Sequence, residues 1–280
     1  IVESELPYLI SILNKLINTR IDGVIIQDLG LFYLLSKYFK CLKIHASTQL
    51  TTHNEGQITF LSKLTATRVN LSRELNINEI KALTLTGHKN NVLIEIFVHG
   101  SYCISFSGIC YISSVLGGNS GNRGRFSQPC RDEYLTTPAG KHFPLNLKDN
   151  SAYFDLREIS DAGVDSLKIE GRIKKFHYVY TVVNTWKKQL QRYYEHDRVS
   201  NDNSDLHKVF NRGFSNAFLQ GDIDKSMFID NPRDNSAVHL AEMQGDCTGG
   251  NIAKAKRELY DEKTEIITHV KRRIEQLSVE

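Results

Sequence analysis

Val92-Leu93-Ile94-Glu95-Ile96-Phe97-Val98-His99-Gly100 is a run of β-branched and aromatic residues, with polar side chains at intervals and a glycine at its end. Such a run reads as a buried strand rather than an exposed one. Similar runs lie on either side of it, at residues 23–28, 42–47, 68–74 and 165–172. Helical spacing fills the intervals, as in residues 78–85. Strand–helix alternation of this kind predicts an α/β fold with parallel strands.

Each strand ends in chemically useful side chains. Asp28 follows the first, and His45 and Ser47 lie on the second. Glu74 closes the third, Glu95 and His99 lie on the fourth, and Glu170, Arg172 and Lys174 finish the fifth. In an α/β barrel the active site forms at that edge. Polar residues also simply mark strand exits into solvent, but five such exits in register favour a shared site. Strand alternation puts Lys168 and Glu170 on one face, as catalytic groups or as an internal ion pair. Five strands do not close an eight-stranded barrel. The expectation is a partial TIM-type (β/α) barrel lacking its first strands, over residues 1–196. A long insertion, 101–163, interrupts it. A small C-terminal extension, 205–280, is expected to end in an amphipathic helix at 252–277.

Three of the five cysteines, Cys103, Cys110 and Cys130, fall inside the insertion. Clustered thiols in a chain with an odd cysteine count point to metal or redox chemistry and to a reducing compartment. They fit an iron–sulfur site, a zinc site completed by His99, or three buried apolar side chains. The net charge of +3 permits nucleic-acid binding without arguing for it. Arg123, Arg125 and Arg131, interleaved with Tyr111, Phe126 and Tyr134, would suit a phosphate backbone and unpaired bases. No apolar run approaches the length of a membrane span, and no secretory signal pattern opens the chain. Neither a Gly-x-Ser-x-Gly elbow nor a His-Glu-x-x-His zinc motif occurs. A peptidase would need a nucleophile such as Cys103 beside His99.

Four stretches carry a family resemblance. They are residues 95–113, with Tyr102 departing from the usual aliphatic residue; Lys168-Ile169-Glu170-Gly171-Arg172; His45-Ala46-Ser47-Thr48-Gln49; and Leu71-Ser72-Arg73-Glu74-Leu75. Together they resemble the peptidase U32, or collagenase-like, family, over nearly the whole chain. The likeness is greatest to its 23S rRNA 5-hydroxycytidine synthase branch. The resemblance implies a cytoplasmic enzyme that hydroxylates a base of 23S rRNA without molecular oxygen, linked to prephenate supply and to a small-molecule oxygen donor. It implies roles for His45, Glu74, Glu95, His99, Lys168, Glu170 and Arg172. It also implies a 4Fe-4S cluster on Cys103, Cys110 and Cys130, with Phe126 standing where a fourth thiolate is expected. The family pattern has three strands before the one at Gly23, so this chain is expected to carry strands four to eight. The family's older label as collagenolytic peptidases is the alternative, and an inactive fragment or binding protein is a further one.

Overall fold

The computed structural model describes residues 1–135, 138–245 and 247–277. Thr136, Thr137, Asp246 and residues 278–280, which belong to the expected insertion and extension, lie outside the described residues. In chain order the helices and strands are α1 (Leu6–Leu16), β1 (Val24–Ile26), α2 (Leu29–Tyr38), β2 (Ile44–Ala46), α3 (Glu55–Lys63), β3 (Ala66–Asn70), α4 (Ile77–Lys89) and β4 (Leu93–Gly100). The insertion contributes α5 (Tyr111–Gly117) and β5 (Asp149–Ser151). There follow α6 (Leu156–Asp161), β6 (Ser166–Ile169), α7 (Phe176–His196), α8 (Ser204–His207), β7 (Phe214–Ser215), α9 (Ala217–Gln220), α10 (Ser236–Met243) and α11 (Gly249–Glu275).

The helices begin where side chains satisfy their first amides. Asp28 accepts from Leu31 N at 2.8 Å to open α2, and Asn54 accepts from Gln57 N at 2.9 Å to open α3. Asn76 and Glu79 form a reciprocal capping box on α4. Each cap contributes about 1 kcal/mol.

All five expected strands form, and they lie in sequence order: β1, β2, β3, β4 and β6 pair as parallel neighbours. The fold is α/β with a parallel-dominated sheet. Two further strands were not legible in the sequence. β5, from the insertion, pairs antiparallel with the end of β4, and β7 pairs parallel with β5. Both are too short to show a periodic pattern. Through β7, Leu206, Val209 and Leu219, residues placed in the extension join the main sheet and core. A separate small cluster of Ala237, Ala241 and Ala255 joins α10 to α11.

One sheet face is apolar. Ile26, Ile44, Ala46, Val69, Ile94 and Ile96 are buried in one core with Phe32 and Leu35 of α2, Ile58 and Leu61 of α3, Leu83 of α4, Ile159 of α6 and Trp186 of α7. Burying each large aliphatic side chain contributes about 1.5–3 kcal/mol. The other face lacks such cover: Ile25 is 58% exposed and Leu93 43%. Among the described residues, no helix is long and apolar enough to cross a membrane.

Candidate functional site

The uncovered face carries the charged groups. Register pairs His45 with Arg68, Asn70 with Glu95, Glu95 with Ser166, and Phe97 with Lys168. Directly paired residues share a face, so His45, Arg68, Asn70, Glu95, Ser166 and Lys168 line one surface. Glu95 is its centre. Glu95 Oε1 accepts from Lys168 Nζ at 2.8 Å and from Asn70 Nδ2 at 2.7 Å. Ser166 Oγ donates to Oε2 at 3.2 Å, and Arg68 Nη1 stands 3.9 Å away. Burial works against ionisation of this carboxyl, but Lys168, then Asn70 and Ser166, outweigh it and hold the group below its ordinary range. His45 is shifted in the same direction, which for an imidazole favours the neutral form. Burial, then the positive charge of Arg68, lowers its pKa and keeps the ring neutral at neutral pH, although Glu95 opposes the shift. The face thus offers two cations, an ionised carboxylate and a neutral imidazole. Sequence reasoning found His45, Glu95 and Lys168. It missed Arg68, Asn70 and Ser166, of which Arg68 and Asn70 stand two apart on β3 and could have been found by alternation. Lys168 pairs with Glu95 across strands, not with Glu170.

His99 does not join this group. A β-bulge lies in β4, so Phe97 pairs with Lys168 but His99 pairs with Ile169. Val98 is the extra residue, and beyond it the alternation inverts. His99 therefore turns to the apolar side, among the rings of Tyr178, Trp186 and Phe214. The ring is 2% exposed, and burial drives its pKa down to about 3. An unfolded chain takes up this proton near the ordinary value of 6.5, whereas the native one resists until about 3. Between those values the unfolded state binds more protons, so stability falls as pH falls. His207, lowered to about 4 mainly by burial, acts in the same direction. Urea midpoints measured from pH 7 down to about pH 4.5 should drop more steeply in the wild type than in His99→Leu. Parallel profiles would show that His99 contributes nothing to acid lability.

The remaining sequence-predicted residues lie past the strand ends. Glu74, past the end of β3, accepts from Ser107 N at 2.5 Å and Ser107 Oγ at 2.6 Å. Ser107 has a left-handed φ of 43°, so this carboxylate fixes a strained turn between Cys103 and Cys110. Arg73 N also donates to Ser107 Oγ at 3.3 Å. Glu74 is a positioning residue for the cysteine-bearing loop. Glu170 is half-buried, its backbone N donating to His99 O at 2.8 Å. Arg172 is exposed.

Behind the loop lies a cationic cluster that sequence reasoning did not assemble. Arg212 Nη2 donates to Asp149 Oδ1 at 2.5 Å and to Ser101 Oγ at 2.7 Å. Arg131 donates to Tyr102 O at 2.8 Å, to Leu147 O at 3.0 Å and to Asn146 Oδ1. Lys174 Nζ sits 3.4 Å over the Phe210 ring, and burial lowers its pKa to about 8. No short-range pattern could have joined Asp149 to Arg212.

The three cysteines are near enough to influence one another. Burial raises the Cys130 thiol; Arg131 opposes this, and Cys103 and Cys110 add to it. Cys110 Sγ lies 3.2 Å from Ser113 Oγ. Burial would raise its pKa, but hydrogen bonds from Ser113, Ser105 and the Ile112 amide bring it below its ordinary value. Phe126, 41% exposed, leaves the expected fourth position without a thiol. Among the described residues, no three His, Cys, Asp or Glu side chains are arranged to hold a metal ion. The charged sheet face stands apart from these thiols, and its chemistry comes from its own side chains.

The sequence that builds this helix-backed sheet, its charged face and its cysteine loop matches a known family of proteins. Residues 1–228 match Peptidase family U32. The chain belongs to that family. It is 34% identical over 244 residues to the 23S rRNA 5-hydroxycytidine C2501 synthase of Escherichia coli (strain K12), an overlap of 79% of this chain and 36% of that protein. It is 31% identical to the tRNA hydroxylation protein P1 of Bacillus subtilis (strain 168), covering 75% of this chain and 53% of that one. It is 29% identical to a collagenase of Porphyromonas gingivalis (strain ATCC BAA-308 / W83), covering 79% and 58%. The chain therefore spans between about a third and three fifths of the length of these relatives.

Proposed function

We propose that this chain is part of an RNA-modifying enzyme of the U32 family that hydroxylates a base of 23S rRNA in the cytoplasm without molecular oxygen. The observation that carries the reading is the Glu95 constellation on the open sheet face. Arg68 and Lys168 offer donors to the carbonyl or phosphate oxygens of a nucleotide, and Glu95 can accept from a base N–H. His45, neutral at working pH, can take or give a proton beside them. The relatives named for rRNA and tRNA hydroxylation support RNA as the substrate class. The sequential parallel strands, with helices on one face and charge on the other, support reading the sheet as a stretch of a (β/α) barrel whose interior is this charged surface.

The oxygen atom would come from a small-molecule donor, prephenate-linked by the family resemblance. Cys103, Cys110 and Cys130 are proposed as ligands of a 4Fe-4S cluster, which would supply redox chemistry when bound. Iron and sulfide retained after anaerobic reconstitution test this part, with Cys130→Ser as the comparison. Equal, near-zero iron in both proteins would end the cluster proposal.

The main test is Glu95→Gln, introduced into the intact gene and expressed in a host lacking its own rRNA hydroxylation. Nucleoside mass analysis should show hydroxylated cytidine in the wild type and about 10²-fold less per unit time in the variant. Wild-type modification by the variant would overturn the assignment of Glu95. Absence of modification by either protein, together with gelatin cleavage by iron-free protein, would support the peptidase reading suggested by the collagenase relative. The geometry gives that reading little: Ser151 Oγ and His99 Nδ1 lie 3.3 Å apart, but the imidazole is enclosed by aromatic rings.

A further inference from the structure

The charged sheet face carries an aromatic ring beside its hydrogen-bonding groups. Phe97 lies two residues beyond Glu95 on β4 and pairs directly with Lys168 of β6, so its side chain projects from the same open face. Its neighbours Ile96 and Val98 are buried in the apolar core, whereas Phe97 is only half-buried. Two cations flank the ring: Arg73 Cζ and Lys168 Nζ each stand 5.4 Å from its centroid. Lys174 shows what a capped ring looks like in this protein, with Nζ 3.4 Å from the Phe210 centroid. At 5.4 Å the two cations border Phe97 rather than cover it. Lys168 is committed to Glu95. Among the described residues, the Arg73 guanidinium is paired with no carboxylate and donates only to Ser101 O, at 3.5 Å.

We propose that Phe97 is the platform on which one unpaired nucleobase stacks, with Arg73 gripping the phosphate beside it. Resting on the nucleotide reading of the sheet face, this subsite adds two groups that the Glu95 constellation lacks: a surface for the flat of the base and an uncommitted cation for the backbone. Residues two apart on a strand are about 6.6 Å apart, so a base laid over Phe97 brings its edge to Glu95 and Lys168. Stacking accepts any base, because every base has a π-face, and the hydrogen-bonding groups at its edge do the choosing. A guanidinium takes phosphate oxygens bidentately. A base lies flat on a ring set in a sheet only when it has left its own helix. The ligand is therefore a single-stranded or extruded nucleotide and not an intact duplex.

The test is binding of a fluorescent oligocytidylate to the full chain, with an abasic oligomer of the same length as reference. The wild type should hold the oligocytidylate more tightly than the abasic oligomer. Phe97→Leu should lose at least about fivefold in affinity for the oligocytidylate. It should lose nothing for the abasic oligomer, which also shows that the variant is folded. Phe97→Tyr, which keeps a ring, should stay within about twofold of the wild type. Arg73→Gln should weaken both probes and lower the slope of log affinity against log salt by about 0.7. If Phe97→Leu does not fold, the Phe97 ring resonances of the wild type give the same comparison. They should shift with the oligocytidylate and stay unmoved with the abasic oligomer. Equal losses for both probes, or no loss for either, would overturn stacking on Phe97. An unchanged salt slope in Arg73→Gln would overturn the phosphate grip. A wild type that binds neither probe would remove the RNA reading together with this subsite. A wild type and a Phe97→Leu that favour the oligocytidylate equally would remove the subsite alone.

Discussion

Replacing Asp149 with alanine is expected to cost about 3–5 kcal/mol, a large part of the stability of a chain this size. Asp149 and Arg212 are both buried, and the carboxylate accepts from Arg212 Nε at 3.1 Å, from Nη2 at 2.5 Å and from the Arg212 backbone amide at 3.0 Å. Removing it strands a guanidinium in the interior. Arg131 and Lys174 would then face that charge with less to balance it, since both already sense Arg212 and Asp149. The β5–β7 pairing would suffer too, because Asp149 is the β5 residue opposite Phe214. Urea denaturation should place the midpoint of Asp149→Ala far below that of the wild type. Asp149→Ala combined with Arg212→Met should recover much of the loss, because it removes both charges together. The exposed pair Arg157–Asp197 is the control, and breaking it should leave the midpoint almost unchanged. A single-mutant loss at Asp149 no larger than the control would mean that Arg212 finds solvent when its partner is gone.

Gly100→Ala is the second large effect. Gly100 ends β4 with a φ of +114°, which side-chain-bearing residues rarely adopt. A Cβ there would lie 2.7 Å from both the carbonyl oxygen and the Cβ of Glu170. The first of these is backbone and cannot rotate away. Strain and overpacking together should cost about 2–6 kcal/mol. Gly118→Ala separates the two causes: φ is +61° there, but no atom lies within 4 Å, so only the conformational part remains. If the two variants show equal urea midpoints, the close approach of Glu170 is not what requires glycine at position 100.

The parallel core was legible because each of its strands carries its own apolar run between helical patterns. β4 is long enough for that pattern to be unmistakable, and its register aligns β3 and β6 beside it. β5 and β7 were not legible. Three residues and two residues cannot show an alternation, and their pairing depends on contacts between positions far apart in sequence. The site was legible in part for the same reason. His45, Glu95 and Lys168 stand on strands whose facing follows from period two. Glu74 and Arg172 lie past strand ends, where alternation stops giving direction, so Glu74's grip on Ser107 had to be seen. The cysteines were found by spacing, but spacing says nothing about whether three thiols point at one centre.

The extra residue in β4 has a consequence for comparing this chain with any relative. An alignment without gaps assumes that equal positions face equal surroundings. Around Val98 that assumption depends on strand length rather than on residue identity. A homologue one residue shorter there could keep an identical His-Gly pair and yet direct the imidazole at the substrate side instead of into the aromatic packing. The same letter would then be a proton carrier in one protein and a piece of hydrophobic filling in the other. A change of one residue in chain length, with no substitution at all, would be enough to move a histidine between these two trades.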